Sequence, residues 1–428
     1  MKTAPAVADR WLRPERLVVP APRTRVSLLQ DLLPPDLSAR STTLHVAVTA
    51  CDAEVWQIET LEAGPGLELP PLPPPSAPSS PAETTPWTIT LALPTGLGLE
   101  TGGYAGDGTP AARLLAGLAD RFVTHPNVVN AAALNWAPRG TAYTEGGLLD
   151  GWLEGRWDLL PRRSNIVGIL LDAGLDEQAR RAVENALSTF RTVGGGRCLV
   201  EETSTPLAMR LIRGPGGRSL GQLADAGPLV EAARRLVNRG AEAIAILTDM
   251  EPLATFDAAY AAGQGPDPIG GLEAMISRLV GRAVGRPTAH APWIPPSLDQ
   301  VDPRGAAEEL GLSYFLCVLR GLQEAPAAVA PGSHPGGWPA AGVLVVPATA
   351  MGGSGTYAAS KRGLYLVAVD NPSVLEVTAE ALGLEACHAR TWAEAAGVVL
   401  ALREGIAPET LQRPFPRNLV PTLPVHSS

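Results

Sequence analysis

The sequence is poor in cysteine, in aromatic residues and in long apolar runs, and each scarcity excludes a class of protein. Its 428 residues include 4 cysteines, and aromatic residues make up only 5%. Cys51, Cys198, Cys317 and Cys387 lie far apart and form no CxxC pair, which argues against a disulfide framework or a structural zinc site and favours buried thiols. No segment approaches about 18 uninterrupted apolar residues, so the sequence predicts no membrane span.

Runs of basic residues are also missing. The formal net charge is −9, and no long Lys/Arg run is present. Nucleic acid and anionic membranes are therefore not expected as partners. The first residues, MKTAPAVADRWLRPERL, contain no apolar core of a secretory signal, which predicts a cytoplasmic protein. The sequence leaves assembly into a homo-oligomer open.

Glycine (45) and proline (42) are abundant, and their distribution suggests a division of the chain. We expect residues 1–69 to form a small N-terminal α+β unit, with strands at Arg16–Pro20 and Leu44–Val48 and helical spacing at Val26–Leu33. Residues 70–86 are rich in proline and serine, which predicts an extended, solvated linker. Residues 87–408 would form the main domain, and residues 409–428 a proline-rich arm.

Strand-like and helical patterns alternate after the linker. This alternation predicts an α/β fold with mostly parallel, doubly wound sheets that could comprise two related Rossmann-like halves. Leu312–Leu319 fits a strand or a helix equally well. The predicted strands are Trp87–Leu93, Ile166–Leu171, Arg197–Val200, Ala243–Leu247, Gly342–Val346, Leu364–Val369 and Ala386–Ala389. The predicted helices are Asp176–Phe190, Leu229–Asn238, Leu272–Val284, Ser373–Leu382 and Thr391–Arg403.

A strand, a glycine-rich loop and a helix follow one another in Trp87–Asn130. The loop contains Gly102, Gly103, Gly106 and Asp107, and such loops can present backbone N–H groups to a ligand. It lacks the GxGxxG spacing of a dinucleotide site and the lysine of a P-loop. Because plain connections are usually about 4–6 residues long, this longer loop favours a ligand-binding role.

A second stretch repeats this order of features. Leu91–Asp107 and Leu344–Ser360 each contain a strand, a proline, a glycine-rich loop and then Tyr-Ala. Glycine-rich sequences match each other easily by chance. The alternative is that two related halves each contribute a loop to one cleft. The second loop offers hydroxyl groups and backbone amides suited to an anion, at Thr349, Gly352, Gly353 and Ser354.

His125, Asn127 and Asn130 follow soon after the first loop. A histidine and two amides beside a sheet edge could orient a polar substrate. Equally, Asn127 could cap the next helix and His125 could be a satisfied loop residue. Asn127 and Asn130 are therefore candidate ligand-binding residues.

Asp267, Glu273 and His290 are the candidate catalytic residues. Asp267 precedes a predicted helix, Glu273 lies in its first turns, and His290 lies just beyond it. The two carboxylates could merely cap the helix and complement its dipole. Together with His290 they could instead form an acid/base couple. No third ligand with a known spacing supports a metal site, and no cofactor can be identified.

Several motifs taken together resemble a known family. They are TGLG…GGYAGD, HPNVVNAA, GQGPDPIGGLEA, TAHAP, PRGAAEELG and PATAMGGSG. They are similar to the uncharacterised bacterial and plastid family catalogued as domain of unknown function 3326, from about Trp87 to about Pro408. The resemblance implies one large domain after the linker. It assigns no activity to any residue.

Three functional hypotheses follow from the sequence. The first is an enzyme that binds a small polar or anionic metabolite between the two glycine-rich loops and performs acid/base chemistry as a hydrolase, isomerase or lyase. The second is a nucleotide- or cofactor-dependent enzyme in which one loop holds a phosphate. The third is a non-catalytic ligand-binding or assembly protein.

Overall fold

The computed structural model describes residues 9–22, 26–35, 42–78, 85–104, 106–250, 258–295 and 312–414. The strands are β1 (Leu12–Pro20), β2 (Thr43–Cys51), β3 (Val55–Ala63), β4 (Thr88–Leu91), β5 (Arg121–Thr124), β6 (Thr141–Tyr143), β7 (Asp158–Leu160), β8 (Ile166–Leu171), β9 (Arg197–Glu202), β10 (Met209–Arg213), β11 (Ser219–Leu223), β12 (Ala243–Asp249), β13 (Thr288–Trp293), β14 (Ala327–Val329), β15 (Val343–Pro347), β16 (Tyr365–Val369) and β17 (Cys387–Ala389). The α-helices are α1 (Thr109–Ala116), α2 (Pro126–Val129), α3 (Gly146–Leu153), α4 (Glu177–Thr192), α5 (Gly227–Asn238), α6 (Ala258–Ala261), α7 (Gly270–Val284), α8 (Leu312–Gln323), α9 (Ser354–Lys361) and α10 (Trp392–Arg403).

A six-stranded sheet with the order β17-β16-β15-β4-β5-β6 forms the centre of the main part of the chain, and its neighbouring strands are parallel. Its strands are short apolar runs, and all five residues of β15 are buried. Such runs are typical of parallel strands that are covered on both faces. Helices α1 and α10 pack into one apolar cluster with this sheet, and α3 and α9 pack into another. The predicted α/β class with parallel sheets is therefore confirmed.

The direction in which the chain moves across this sheet reverses between β4 and β15. From β4 it moves outward through β5 to β6, and from β15 it moves the other way through β16 to β17. Strands β4 and β15 are parallel neighbours, so the glycine-rich loops that follow them leave the same edge of the sheet. In open α/β sheets, a crevice for ligands forms at such a reversal.

A second parallel sheet, with the order β13-β12-β8-β9, is built from residues between β6 and β15. Strand β8 has the bounds that its apolar run predicts, and α8 settles the ambiguous segment as a helix. Helix α7 leads directly into β13. This connection brings Glu273 on the helix next to His290 on the strand.

The N-terminal segment and the main part of the chain share an antiparallel sheet with the order β10-β11-β1-β3-β2. Leu12 of β1 pairs with Leu223 of β11. Arg218, just before β11, donates from both terminal nitrogens to the Glu59 carboxylate of β3, each at 2.9 Å. The backbone hydrogen bonding of residues 12–63 thus continues into residues 209–223. The predicted domain boundary near residue 69 stays a prediction.

Residues 70–78 of the proline-rich segment are mostly exposed, and two arginines hold them. Arg156 donates to the Pro73 carbonyl and Arg362 to the Ser76 carbonyl, both at 2.7 Å. Residues 79–84 of the predicted linker and 415–428 of the predicted arm lie outside the described residues.

Two predicted helices differ from the structure. Ser373–Leu382 forms turns, because Val377 bridges to Ala350 and exchanges backbone hydrogen bonds with the second glycine-rich loop. Val26–Leu33 contains only a 3-10 turn at Leu29–Leu32. Leu33 takes an extended backbone conformation, which is the one favoured before a proline.

The sequence predicts buried thiols at all four cysteines, and this prediction is wrong for three of them. Among the four free cysteines only Cys317 is buried, and the other three are partly exposed.

No helix in the described ranges is long and apolar enough to cross a membrane.

Candidate functional site

A cavity of about 560 Å³ lies where the order of the six-stranded sheet reverses. Residues after β4 and after β15 line it, together with the first turns of α7 and parts of β2 and β3. The site residues predicted from the sequence divide into two groups. Those that line the cavity are Gly103, Asn127, Asn130, Asp267, Glu273, His290, Gly352 and Gly353. Those outside its lining are Gly102, Gly106, Asp107, Thr349 and Ser354.

Glu273, His290 and Thr248 form a hydrogen-bonded chain at the cavity wall. The Nδ1 atom of His290 lies 3.0 Å from Glu273 Oε1, and its Nε2 atom lies 2.8 Å from Thr248 Oγ1. Only 1% of the His290 side chain is exposed, against 20% of the Glu273 side chain. Both imidazole nitrogens of His290 therefore already have hydrogen-bond partners. Of these three residues, Glu273 is the one that can contact a ligand.

Asp267 lies at the beginning of α7 and faces the same cavity. Its Oδ1 atom accepts hydrogen bonds from the backbone N–H groups of Ile269 (2.9 Å) and Gly270 (3.0 Å). Burial, and next the negative charge of Glu273, raise the pKa of Asp267 to about 7, although the two backbone hydrogen bonds act in the opposite direction. Near neutral pH Asp267 is therefore protonated for part of the time.

A cluster of Arg278, Asp150 and His45 forms another part of the cavity wall. Arg278 Nη1 lies 2.8 Å from Asp150 Oδ2, and His45 Nδ1 lies 3.3 Å from the same oxygen. Burial opposes ionisation of Asp150, but the nearby Arg278 and His45 lower its pKa to about 2. Glu145 caps α3 by accepting from the N–H groups of Gly147 and Leu148.

The charges in the described part of the cavity wall do not balance. Five carboxylates line it, at Glu59, Glu145, Asp150, Asp267 and Glu273. Only two guanidinium groups line it, Arg218 and Arg278, and each is paired with a carboxylate, Glu59 and Asp150 respectively. This excess of negative charge disfavours an anionic ligand.

Hydrogen bonds from inside and outside the first glycine-rich loop hold it, and Asn371 both accepts from the Thr101 N–H and donates to the Thr101 carbonyl. Asp107 accepts from the Gly102 N–H at 2.6 Å, so one oxygen of the expected ligand acceptor is used inside the loop. Asn127 donates from Nδ2 to the Leu93 carbonyl at 2.6 Å and does not cap α2. Asn130 accepts from the Tyr143 hydroxyl at 2.9 Å.

The second glycine-rich loop packs closely on β2. The Gly352 carbonyl accepts from the Val48 N–H at 2.8 Å, and a Cβ atom on Gly352 would lie 2.0 Å from the Val48 carbonyl oxygen. Thr349 Oγ1 lies 3.1 Å from Ser373 Oγ, and Ser354 is buried in the first turn of α9. Close packing therefore accounts for Gly352, and the predicted anion site at this loop stays a prediction.

His125 lines the cavity between β5 and α2. Its Nε2 atom accepts from the Leu93 N–H at 2.9 Å.

The sequence did not point to five further residues of the cavity wall, because they come from distant parts of the chain. They are His45, Glu59, Asp150, Arg218 and Arg278. Arg278 lies in a predicted helix, but the sequence contains no sign that it faces the cavity. In the part of the chain that the structure covers, no cluster of side chains has the composition of a metal site.

Comparison with known proteins gives a family and a relative, and neither has a stated activity. Residues 88–412 match the family described as "Protein of unknown function (DUF3326)", as the motifs predict. An "Uncharacterized lipoprotein" of Synechococcus sp. is 38% identical over 336 residues, which are 76% of this chain and 93% of the relative. No solved structure matches. The family match begins at β4, so β1, β2 and β3 lie outside it.

Proposed function

The chain belongs to the DUF3326 family of proteins of unknown function, and we propose that it is an enzyme that performs acid/base chemistry on a small molecule in this cavity. The observation that supports this proposal most directly is the pair of partly buried carboxyl groups, Asp267 and Glu273, in the cavity wall. A carboxyl group whose pKa lies near 7 beside a second carboxylate is the arrangement expected of a general acid and base at neutral pH.

In this proposal Glu273 and Asp267 exchange a proton with the substrate. Glu273 acts as base when Asp267 is protonated, and Asp267 returns the proton as acid. His290 is a positioning residue, because its Nδ1 atom orients the Glu273 carboxylate while Thr248 occupies its Nε2 atom. Proton transfer of this kind serves hydrolysis, isomerisation and elimination alike.

The substrate we propose is small and carries no net negative charge. Val48, Leu61, Leu97 and Leu149 provide apolar contacts in the cavity, and the carboxylates outnumber the guanidinium groups in its described lining. The same charge balance argues against the alternative of a phosphate-bearing nucleotide.

We regard the two halves of the six-stranded sheet as Rossmann-like, since the strand order matches a doubly wound sheet. In that interpretation each half contributes one glycine-rich loop to the cleft.

The location of the protein is also a proposal. The sequence favours the cytoplasm, whereas the name of the Synechococcus relative raises a membrane-anchored lipoprotein as the alternative. Fractionation of cells that express the full chain decides between them.

The proposed function is tested by incubating the protein with a small-molecule cell extract in D₂O. Mass spectrometry then searches for compounds that are converted or that gain deuterium. We expect at least one such compound with the native protein, and a loss of at least about 100-fold in its rate with Glu273→Gln. The control is Glu177→Gln, whose side chain is 80% exposed on α4. If Glu273→Gln converts or labels that compound at the rate of the native protein, the proposed chemistry is ruled out.

A further inference from the structure

The protonation of the His125 ring is fixed by one backbone hydrogen bond. Leu93 follows β4, and its backbone N–H points at His125 Nε2 over 2.9 Å. A backbone N–H group can only donate, so Nε2 must accept and cannot carry a proton. The neutral ring therefore has its proton on Nδ1.

The surroundings of the ring keep it in this neutral form. Burial lowers the pKa of His125 to about 4; the nearby Asp150 acts against this shift and the nearby Arg278 adds to it. At neutral pH the imidazole is accordingly a donor through Nδ1 and an acceptor through Nε2. It is not a charged group.

The Nδ1–H group has no hydrogen-bond partner among the described residues, and the ring belongs to the wall of the cavity. His125 is only 7% exposed. The Nδ1 atom is not among the fully buried unpaired atoms of the described residues, so an acceptor in the cavity can reach it and pair with its hydrogen. Water can accept this hydrogen bond, and a ligand would replace that water.

We propose that His125 Nδ1–H donates a hydrogen bond to an uncharged carbonyl oxygen of the ligand, which would make the substrate a carbonyl compound. The group must be an acceptor, because the ring offers only a donor there. A carbonyl fits better than a carboxylate, because the described lining already holds five carboxylates against two guanidinium groups. This inference rests on the proposed function, in that the cavity must bind a small molecule.

A neutral imidazole donor would also have a chemical use beside the acid/base pair. Removal of a proton next to a carbonyl carbon moves negative charge onto the carbonyl oxygen as the C–H bond breaks and the C=C bond forms. A fixed donor at that oxygen stabilises the charge. The proton passes to the carboxylate pair and returns from it, so the step balances without an oxidant or a second reactant.

Two variants separate the role of Nδ1 from that of Nε2. In His125→Gln the side-chain oxygen can reach the position of Nε2 and still accept from Leu93 N–H, but no donor remains at the position of Nδ1. In His125→Asn the amide can donate from the position of Nδ1, but the Leu93 N–H loses its acceptor. A purely structural His125 would make the glutamine variant indistinguishable from the native protein.

The first measurement uses protein labelled with ¹⁵N-histidine and needs no ligand. The proton-coupled nitrogen of His125 must be Nδ1, and it must stay so from pH 8 to below pH 6. A spectrum with the proton on Nε2 would overturn the inference.

The second measurement compares binding of cyclohexanone and of methylenecyclohexane, which share a shape but differ in the carbonyl oxygen. We expect a preference of about 2- to 12-fold for cyclohexanone, the range for one net hydrogen bond. The Nδ1–H resonance should shift with cyclohexanone and not with methylenecyclohexane. His125→Gln should abolish the preference, and His125→Asn should keep it at reduced thermal stability.

The outcomes distinguish this inference from the proposed function. Equal binding of the two probes, or an unchanged preference in His125→Gln, would overturn the role of His125 and leave the acid/base proposal standing. If neither probe disturbs any resonance of the cavity residues, both the inference and the ligand-binding cavity are contradicted.

Discussion

Asp267 lies in the cavity wall, and its pKa is raised far above that of an ordinary aspartate. Its oxygen caps α7, which favours the charged form, yet burial and the adjacent Glu273 favour the protonated form more strongly. Because the pKa in the folded protein lies above the ordinary value of 3.8, the folded protein retains a proton that the unfolded chain has already released. Stability associated with this group therefore falls as the pH rises from about 4 to about 7.

Asp267→Asn tests this dependence, because its amide oxygen can still accept from Ile269 and Gly270. We expect the variant to gain about 2–3 kcal/mol relative to the native protein when the pH rises from 5 to 8. Denaturant unfolding at the two pH values gives the difference. A constant difference between the proteins at both pH values would contradict the raised pKa.

The three candidate catalytic residues could be brought together from sequence because they are close in the chain. Asp267 and Glu273 flank the beginning of one helix, and His290 follows on the next strand. The sequence could not show which of the three residues is placed to contact a ligand. This placement depends on Thr248, which lies on the neighbouring strand β12 and occupies the second nitrogen of His290. The sequence contained no sign of that contact.

At the scale of elements, the second glycine-rich loop is defined by how closely it approaches β2. Gly352→Ala places a Cβ atom 2.0 Å from the Val48 carbonyl oxygen, and a backbone atom cannot rotate away. We expect a loss of at least about 2 kcal/mol in the free energy of unfolding. Thermal or denaturant unfolding measures it.

The neighbouring glycine is the matched control for this variant. Gly353 has φ of −69°, and a Cβ atom there would meet nothing closer than Thr356 Oγ1 at 3.8 Å. Gly353→Ala should therefore cost less than about 1 kcal/mol. Equal losses in the two variants would show that close packing on β2 is not the reason for Gly352.

Elements that consist of a continuous apolar run could be predicted well, and β8 even has its predicted bounds. The segment Ser373–Leu382 has helical spacing but no helix, because Val377 pairs with the loop after β15. That pairing exists only once the loop is folded. Local sequence could therefore not reveal it, and the same holds for the pairing of β1 with β11.

At the scale of the whole molecule, the N-terminal strands help to build both the shared sheet and the cavity wall. Glu59 of β3 lines the cavity and binds Arg218, and only 12% and 5% of these side chains are exposed. Since this ion pair joins the N-terminal segment to the main part of the chain, we expect the two to unfold together.

Glu59→Gln leaves the Arg218 guanidinium with its charge largely uncompensated. We expect a single unfolding transition that is less stable by about 3 kcal/mol. Glu15→Gln is the control, because Glu15 pairs with the half-exposed Arg13 on the same strand. Two separate transitions, or equal effects of the two variants, would contradict a shared folding unit.

The proposed function requires that Asp267 keep a proton for part of the time at neutral pH, and titration of the Asp267 carboxyl carbon by ¹³C NMR tests this claim. We expect the Asp267 carboxyl carbon to titrate near pH 7 in the native protein. In Glu273→Gln the midpoint should fall, because the neighbouring negative charge is gone, yet stay above 3.8, because the group remains buried. A native midpoint near 3.8, or one that Glu273→Gln leaves unchanged, would contradict the claim.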